Sequence, residues 1–338
     1  MTPTPNRPVA LWLYAWCALL VGLVVIGGIT RLTESGLSIT EWKPVTGILP
    51  PLTHAAWEEE FAKYRQIPEY REKNAGMTLP QFQRIFFWEY LHRLWARLLG
   101  LAFALPLAWF IVTKRVDRRL AGRLGLILLL VGAQGALGWY MVASGLVDRV
   151  DVSQYRLAAH LGLALLIYAL ALWTGAGLWR SPGTAGDPRV ARPAAFFAAY
   201  VFLTIVAGAF VAGLDAGRAW NTFPLMGGSF VPAGYGQLLP AWRNAFDNPA
   251  AVQFHHRWLG IGAGLGALAL AFWSRRSPAE KVRHWAWVVA GAAGLQVALG
   301  LLTLLLMVPI PVAALHQLGA VILLTSALLL AHASRAQG

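Results

Sequence analysis

The fifty residues from Trp285 to Ser334 include no Asp, Glu, Lys or Arg. A helix crosses the hydrocarbon of a bilayer in about 20 apolar residues. The run is therefore too long for one crossing, and Pro309-Ile310-Pro311 divides it into two. Further uncharged runs lie at Val9–Thr30, Leu98–Thr113 (extended backward to about Phe86), Leu124–Val147, Leu157–Trp179, Pro193–Leu214 and Trp258–Ser274 (starting near Ala251). The pattern predicts an all-α integral membrane protein with eight transmembrane helices. Of the 338 residues, 57% are hydrophobic and 13% charged, where a soluble domain carries about 25% charged residues. That balance excludes a soluble enzyme and a disordered chain. The single cysteine, Cys17, lies inside the first run and excludes a disulfide-framed secreted domain. Val9–Thr30 is long enough to remain as an anchor and lacks a small-residue cleavage pattern.

The formal charge of +13 is explained by topology. Placing both termini and the even-numbered connections in the cytoplasm gives that side 14 basic and 3 acidic residues, and the opposite side 11 of each. This is the bias expected of a multi-pass inner-membrane protein with cytoplasmic termini. It leaves no basic surface that calls for nucleic acid. The large outer connection, about Arg31–Arg84, holds Trp57–Phe61 and Tyr64–Glu72 as candidate short helices, punctuated by Pro44, Pro50, Pro51, Pro68 and Pro80. A second long outer loop runs from about Asp215 to Pro249.

The chain repeats itself. Gly27-Gly28 and Glu34-Ser35-Gly36 align with Gly208-Ala209 and Asp215-Ala216-Gly217 at a constant offset of 181. Glu89-Tyr-Leu-His-Arg93 aligns with Gln253-Phe-His-His-Arg257, Gln134–Gly138 with Gln296–Gly300, and Ala158–His160 with Ala314–His316. The reading is two pseudo-symmetric four-helix bundles, residues 1–180 and 181–338, as parallel repeats.

Four of the eight histidines recur in register: His92, His160, His256 and His316. A lone histidine on an apolar helix is usually a satisfied core residue. Four in a repeated pattern, each expected one or two turns from the outer end of its helix, are candidates for function, because ionisable groups in spans are costly. Two imidazoles per bundle form an axial pair for haem iron, whereas zinc asks for three or four ligands. Arg93 and Arg257 follow two of these histidines and are candidates to pair with haem propionates or to snorkel to headgroups. Gly260, Gly262, Gly264 and Gly266 leave room for a bulky group or for close helix packing. The halves differ at one position: Glu89 precedes His92 by three residues, while its counterpart is the neutral Gln253. This marks the N-terminal half as the reactive site and the C-terminal half as a permanent cofactor site. His255 adjoins His256, but the shared His-Arg pair favours His256 as the ligand. His54, His284 and His332 read as solvated or interfacial, and Trp88, Tyr155 and Trp285 as interfacial anchors.

Arg31-Leu-Thr-Glu-Ser-Gly-Leu-Ser38 resembles the outer-loop signature of haem A synthases. So do Tyr64–Tyr70 with Asn74 and Met77-Thr78, Glu89–Arg93, Asn221–Met226 and Leu315-His-Gln317. The resemblance covers nearly the whole chain. It is closest to the mitochondrial and alphaproteobacterial branch; another branch carries paired loop cysteines that this chain lacks. The resemblance implies an enzyme that oxidises the C8 methyl of haem O to a formyl group by successive hydroxylations, giving haem A. It implies a haem B cofactor on His256 and His316 with Arg257. It implies substrate haem O near His92 and His160 with Arg93, and Glu89 as the essential acid. A haem O synthase is the implied partner. The electron donor is open between a ferredoxin-type protein and a quinol, and a homo-oligomer is open too. Two other readings use the same histidines: a di-haem b-type electron-transfer protein, and a non-catalytic haem carrier or assembly factor. Neither accounts for the Glu89/Gln253 difference.

Overall fold

The computed structural model describes residues 6–43, 46–148, 150–179 and 186–335. Among them the long helices are α1 (Arg7–Leu32), α4 (Leu79–Val112), α5 (Arg118–Asp148), α6 (Gln154–Trp179), α7 (Pro188–Gly213), α9 (Pro249–Ser274), α10 (Glu280–Leu305) and α11 (Ile310–Ser334). Short helices α2 (His54–Tyr64), α3 (Pro68–Glu72) and α8 (Asn244–Asp247) lie in the two long connections. Seven of the long helices are apolar and long enough to cross a membrane, so the chain is a helical, multi-pass membrane protein. The eighth, α9, matches α10 in length. Its apolar run is broken by Gln253, His255, His256 and Arg257 and diluted by four glycines.

The helices begin where local chemistry dictates, several of them outside the apolar runs. Thr78 and Gln81 form a reciprocal capping box that starts α4 at Leu79, two turns before the expected Phe86. Asn248 accepts from the N–H groups of Ala250 and Ala251 with Pro249 at the first helical position, and Asp187 caps α7 ahead of Pro188 in the same way. The acid of each repeated Glu34/Asp215 motif sits in the left-handed region, at φ 53° and 50°, and turns the chain out of α1 and α7.

Two compact units result, residues 22–164 and residues 1–21 with 165–338. They do not coincide with the two sequence halves; the expected boundary at 180/181 falls outside the described residues. The divisions cut α1 and α6 because the first part of α1 and the last part of α6 bond to each other and to α11. Asn6 N–H donates to the Leu178 carbonyl (3.0 Å), Gly175 rests on Leu13 and Tyr14, and the Tyr168 and Thr325 hydroxyls meet at 2.7 Å. In that unit α7 packs on α9, α9 on α10, α10 on α11 and α11 on α7.

In the other unit, α2 folds against the first turns of α4, and α3 packs on α5. The expected helix at Trp57–Phe61 is α2; the second starts at Pro68 rather than Tyr64, because Pro68 fixes the first helical position. Phe61 stacks on Phe82 at 4.9 Å, with Tyr64, Ile67, Phe86 and Leu37 completing a buried cluster. Glu69 is sealed beside it at 3% exposure. One of its oxygens accepts a long bond (3.4 Å) from the Tyr64 hydroxyl, and the other has no partner. Burial, reinforced by the negative charges of Glu89 and Asp151, pushes this carboxyl up to about 8. Between its ordinary range and pH 8 the folded protein holds a proton that the unfolded chain releases. Stability therefore falls as pH rises through that window, by at most about 1.4 kcal/mol per pH unit. Thermal unfolding from pH 5 to 9 is expected to show this slope in the wild type and a flatter one in Glu69→Gln. Equal slopes would rule out Glu69 as its source.

Candidate functional site

Each of the four repeated histidines lies on a different helix, and each rests against a glycine of a neighbouring helix. A Cβ added at Gly27 would stand 3.2 Å from His92 Nε2. At Gly138 it would stand 3.0 Å from His160 Cε1, at Gly208 2.9 Å from His256 Cε1, and at Gly300 3.0 Å from His316 Cε1. Those separations are tighter than ordinary van der Waals contact, so any side chain there would push the ring away. The repeated Gly27/Gly208 and Gly138/Gly300 are therefore seats for imidazoles. His160, His256 and His316 sit within about two turns of their helix starts. His92 lies about three and a half turns into α4, deeper than expected, because α4 begins early to carry Phe82 and Phe86 into the aromatic cluster with α2.

His256 and His316 face each other, with ring centroids 6.5 Å apart and planes at 84°. His256 Nδ1 is 3.1 Å from the Thr204 carbonyl. A carbonyl only accepts, so Nδ1 carries the hydrogen and Nε2 is bare. His255 points elsewhere, its Nε2 bonded to the Tyr235 hydroxyl at 2.7 Å. In the other unit His92 and His160 are near enough to interact electrostatically. Glutamines address the last histidine of each half in the same way: Gln134 Nε2 lies 3.1 Å from His160 Nδ1, and Gln296 Nε2 lies 3.1 Å from His316 Nδ1. Among the described residues no three or more His, Cys, Asp or Glu gather as a metal site. The histidines come in pairs. His54 and His284 are exposed, and His332 packs edge-on against Trp173.

Arg93 and Arg257 fasten the two long connections. Arg93 donates to the carbonyls of Ile39 (2.8 Å) and Glu41 (3.0 Å). Arg257 donates to those of Trp220 and Thr222, the positions that follow by the repeat offset of 181. Glu89 is buried at 2% exposure and accepts four hydrogen bonds. Arg93 Nε (3.0 Å) and Nη2 (2.6 Å) reach Oε1; the Ser38 hydroxyl and the Ile39 N–H, both at 2.8 Å, reach Oε2. In the second half Ala219 replaces Ser38, and Gln253 instead donates to the Trp220 carbonyl (3.3 Å). The carboxylate and its hydroxyl donor are thus gained or lost together. Of the five N–H groups of Arg93, four are engaged. Arg257 keeps a buried Nε with no partner.

The family model described as cytochrome oxidase assembly protein (COX15-CtaA) matches residues 10–328. The chain belongs to this family. It is similar to a protein named haem A synthase from Rhodospirillum centenum, 51% identical over 321 residues, which cover 94% of this chain and 86% of the relative. Proteins of the same name from Parvibaculum lavamentivorans and Nitrosospira multiformis are each 47% identical, covering 95% and 98% of this chain and 92% and 95% of theirs.

The sequence reading named the histidines, arginines and Glu89 but passed over Ser38, Thr204, Gln134 and Gln296 as individual groups, and it gave the repeated glycines no task. The repeat itself carried the signal, since Gln134–Gly138 and Gln296–Gly300 hold both the glutamine and the seat. Arg93→Met removes the partner of a buried carboxylate, a loss of about 3–5 kcal/mol. It is expected to free residues 38–43 from α4, measured as faster proteolysis of that segment; cleavage at the wild-type rate would show that the segment is held by something else.

Proposed function

We propose that this chain is a haem A synthase: it oxidises the C8 methyl of haem O to a formyl group, by successive hydroxylations. The names of relatives that match it end to end support the reaction. The observation that carries the site is the His256–His316 pair. Their ring centroids stand 6.5 Å apart, and the two imidazoles would hold the haem iron. The unpartnered Arg257 Nε suits one carboxylate oxygen of a propionate. The residues of the second half thus fit haem B, with His256 and His316 as iron ligands and Arg257 beside a propionate. When bound, the haem supplies the redox chemistry.

In the first half His92 and His160 hold substrate haem O, with the remaining N–H of Arg93 for a propionate. Glu89 is the acid beside the substrate, handling the proton of the oxidation or positioning water at the methyl. Its hydrogen bonds to Ser38, Ile39 and Arg93 fix where that carboxylate stands and close residues 38–41 against α4. In the membrane the reading is of eight spans, α9 included, as two four-helix bundles with both termini cytoplasmic and the haem sites toward the outer face. A haem O synthase supplies the substrate.

Chromatography of haems extracted from the purified protein, after co-expression with a haem O source, tests the reading. Haem B together with haem O, haem A or a hydroxylated intermediate is expected. Haem B alone at two per chain would replace the synthase with a di-haem cytochrome. His256→Ala is expected to lose the haem B signal and His255→Ala to keep it, with the opposite pattern reversing the ligand assignment. Glu89→Gln is expected to retain haem and lose most haem A formation; full conversion in that variant would remove Glu89 from the chemistry.

A further inference from the structure

The histidine on the last helix of each half meets a glutamine in a way that the other histidines do not. Gln134 Nε2 lies 2.9 Å from the backbone oxygen of His160 and 3.1 Å from its Nδ1. Gln296 repeats both distances at His316. The carbonyl oxygen can only accept, so the amide edge that faces it is the –NH2 edge. The same –NH2 group faces the ring. Nδ1 therefore accepts, and the hydrogen of the neutral imidazole sits on Nε2. His256 has the opposite arrangement, because the Thr204 carbonyl forces the hydrogen onto Nδ1. A ring nitrogen that binds a metal must be bare, and a ligating histidine usually donates its other N–H to an acceptor. His256 is set up for this and His316 is not. The missing acceptor is close at hand. Oε1 of Gln134 and Oε1 of Gln296 are both buried without a hydrogen bond. A part turn of the amide that leaves its –NH2 group on the backbone oxygen would bring Oε1 to an Nδ1–H and bare the ring Nε2. Gly319 lines the space on the far side of Gln296, where a Cβ would collide with Oε1.

We propose that Gln134 and Gln296 are positioning residues that set the tautomer of His160 and His316. Through it they set whether the last-helix histidine of each half presents a bare nitrogen to iron. The idea rests on the reading of the histidine pairs as haem ligands. It makes His316 adjustable beside a fixed His256, and gives His160 the same adjustment. At His160 such a ligand suits the first half, which must take up one haem and release another.

The test uses the purified protein with its haem, as wild type, Gln296→Leu, Gln296→Glu and His316→Ala. Two quantities are read: the fraction of ferrous haem that binds carbon monoxide, and the haem midpoint potential. Leu offers His316 no partner, and the carbon monoxide-reactive fraction is expected to rise by about 10-fold or more. Glu is a standing acceptor for Nδ1–H, which makes the ring a stronger ligand. Its haem is expected to stay closed to carbon monoxide, with a midpoint potential more negative than wild type. A Leu variant with wild-type reactivity and potential overturns the proposal. So does a Glu variant whose haem is as open to carbon monoxide as that of Leu, since the side chain would then only fill space. His316→Ala separates the two ideas. If its haem becomes reactive, the ligand reading stands and a silent Gln296→Leu counts against the glutamine alone. If its haem stays closed, the ligand reading falls and the proposal falls with it.

Discussion

An imidazole in the apolar interior of a helical membrane protein must be held at a chosen height and angle, and here the contact of each ring with a bare stretch of helix backbone does this. Gly27, Gly138, Gly208 and Gly300 each leave a gap of one side chain, and His92, His160, His256 and His316 fill those gaps. Everything else about the site is arranged around rings held in this way. Two neighbouring helices come close enough for Thr204 and Gln296 to address Nδ1 of His256 and His316. The rings then stand 6.5 Å apart with their planes nearly perpendicular.

A second constraint acts above the rings. The carbonyls at 39 and 41, and at 220 and 222, are drawn onto the helices below by Arg93 and Arg257. The two long connections have no regular structure there, and hydrogen bonds to a guanidinium replace those a strand or helix would provide. The arginines are thus structural before they are anything else. This explains why each directly follows a histidine, since neighbouring positions on one helix serve the layer above and the site beside it.

Much of this was legible in the chain. Uncharged runs located seven spans, and the repeat located all four histidines. The boundaries were less legible for a physical reason: capping by Thr78 and Gln81 and by Asn248 lets α4 and α9 start in polar sequence, where hydropathy has no signal. The depth of His92 was misjudged for the same reason. The tasks of Gln134, Gln296 and the glycine seats were not legible, because a seat is defined by what lies across from it on another helix. The role of Glu69 was hidden too, since an acid in a long connection of mixed charge looks solvated until the aromatic rings of α2 and α4 close around it.

The pairing of Glu89 with Ser38, against Gln253 with Ala219, restricts how two copies of one ancestral unit could drift apart. Installing a carboxylate at 253 alone would bury a charge one hydroxyl short of the four donors that Glu89 enjoys. Ala219 is exposed, so a serine there would keep its hydroxyl in solvent and cost little. The order of change is therefore constrained: a hydroxyl at 219 can come first, whereas a carboxylate at 253 has its full set of donors only after it. The two halves can exchange this feature along one route and not along the other.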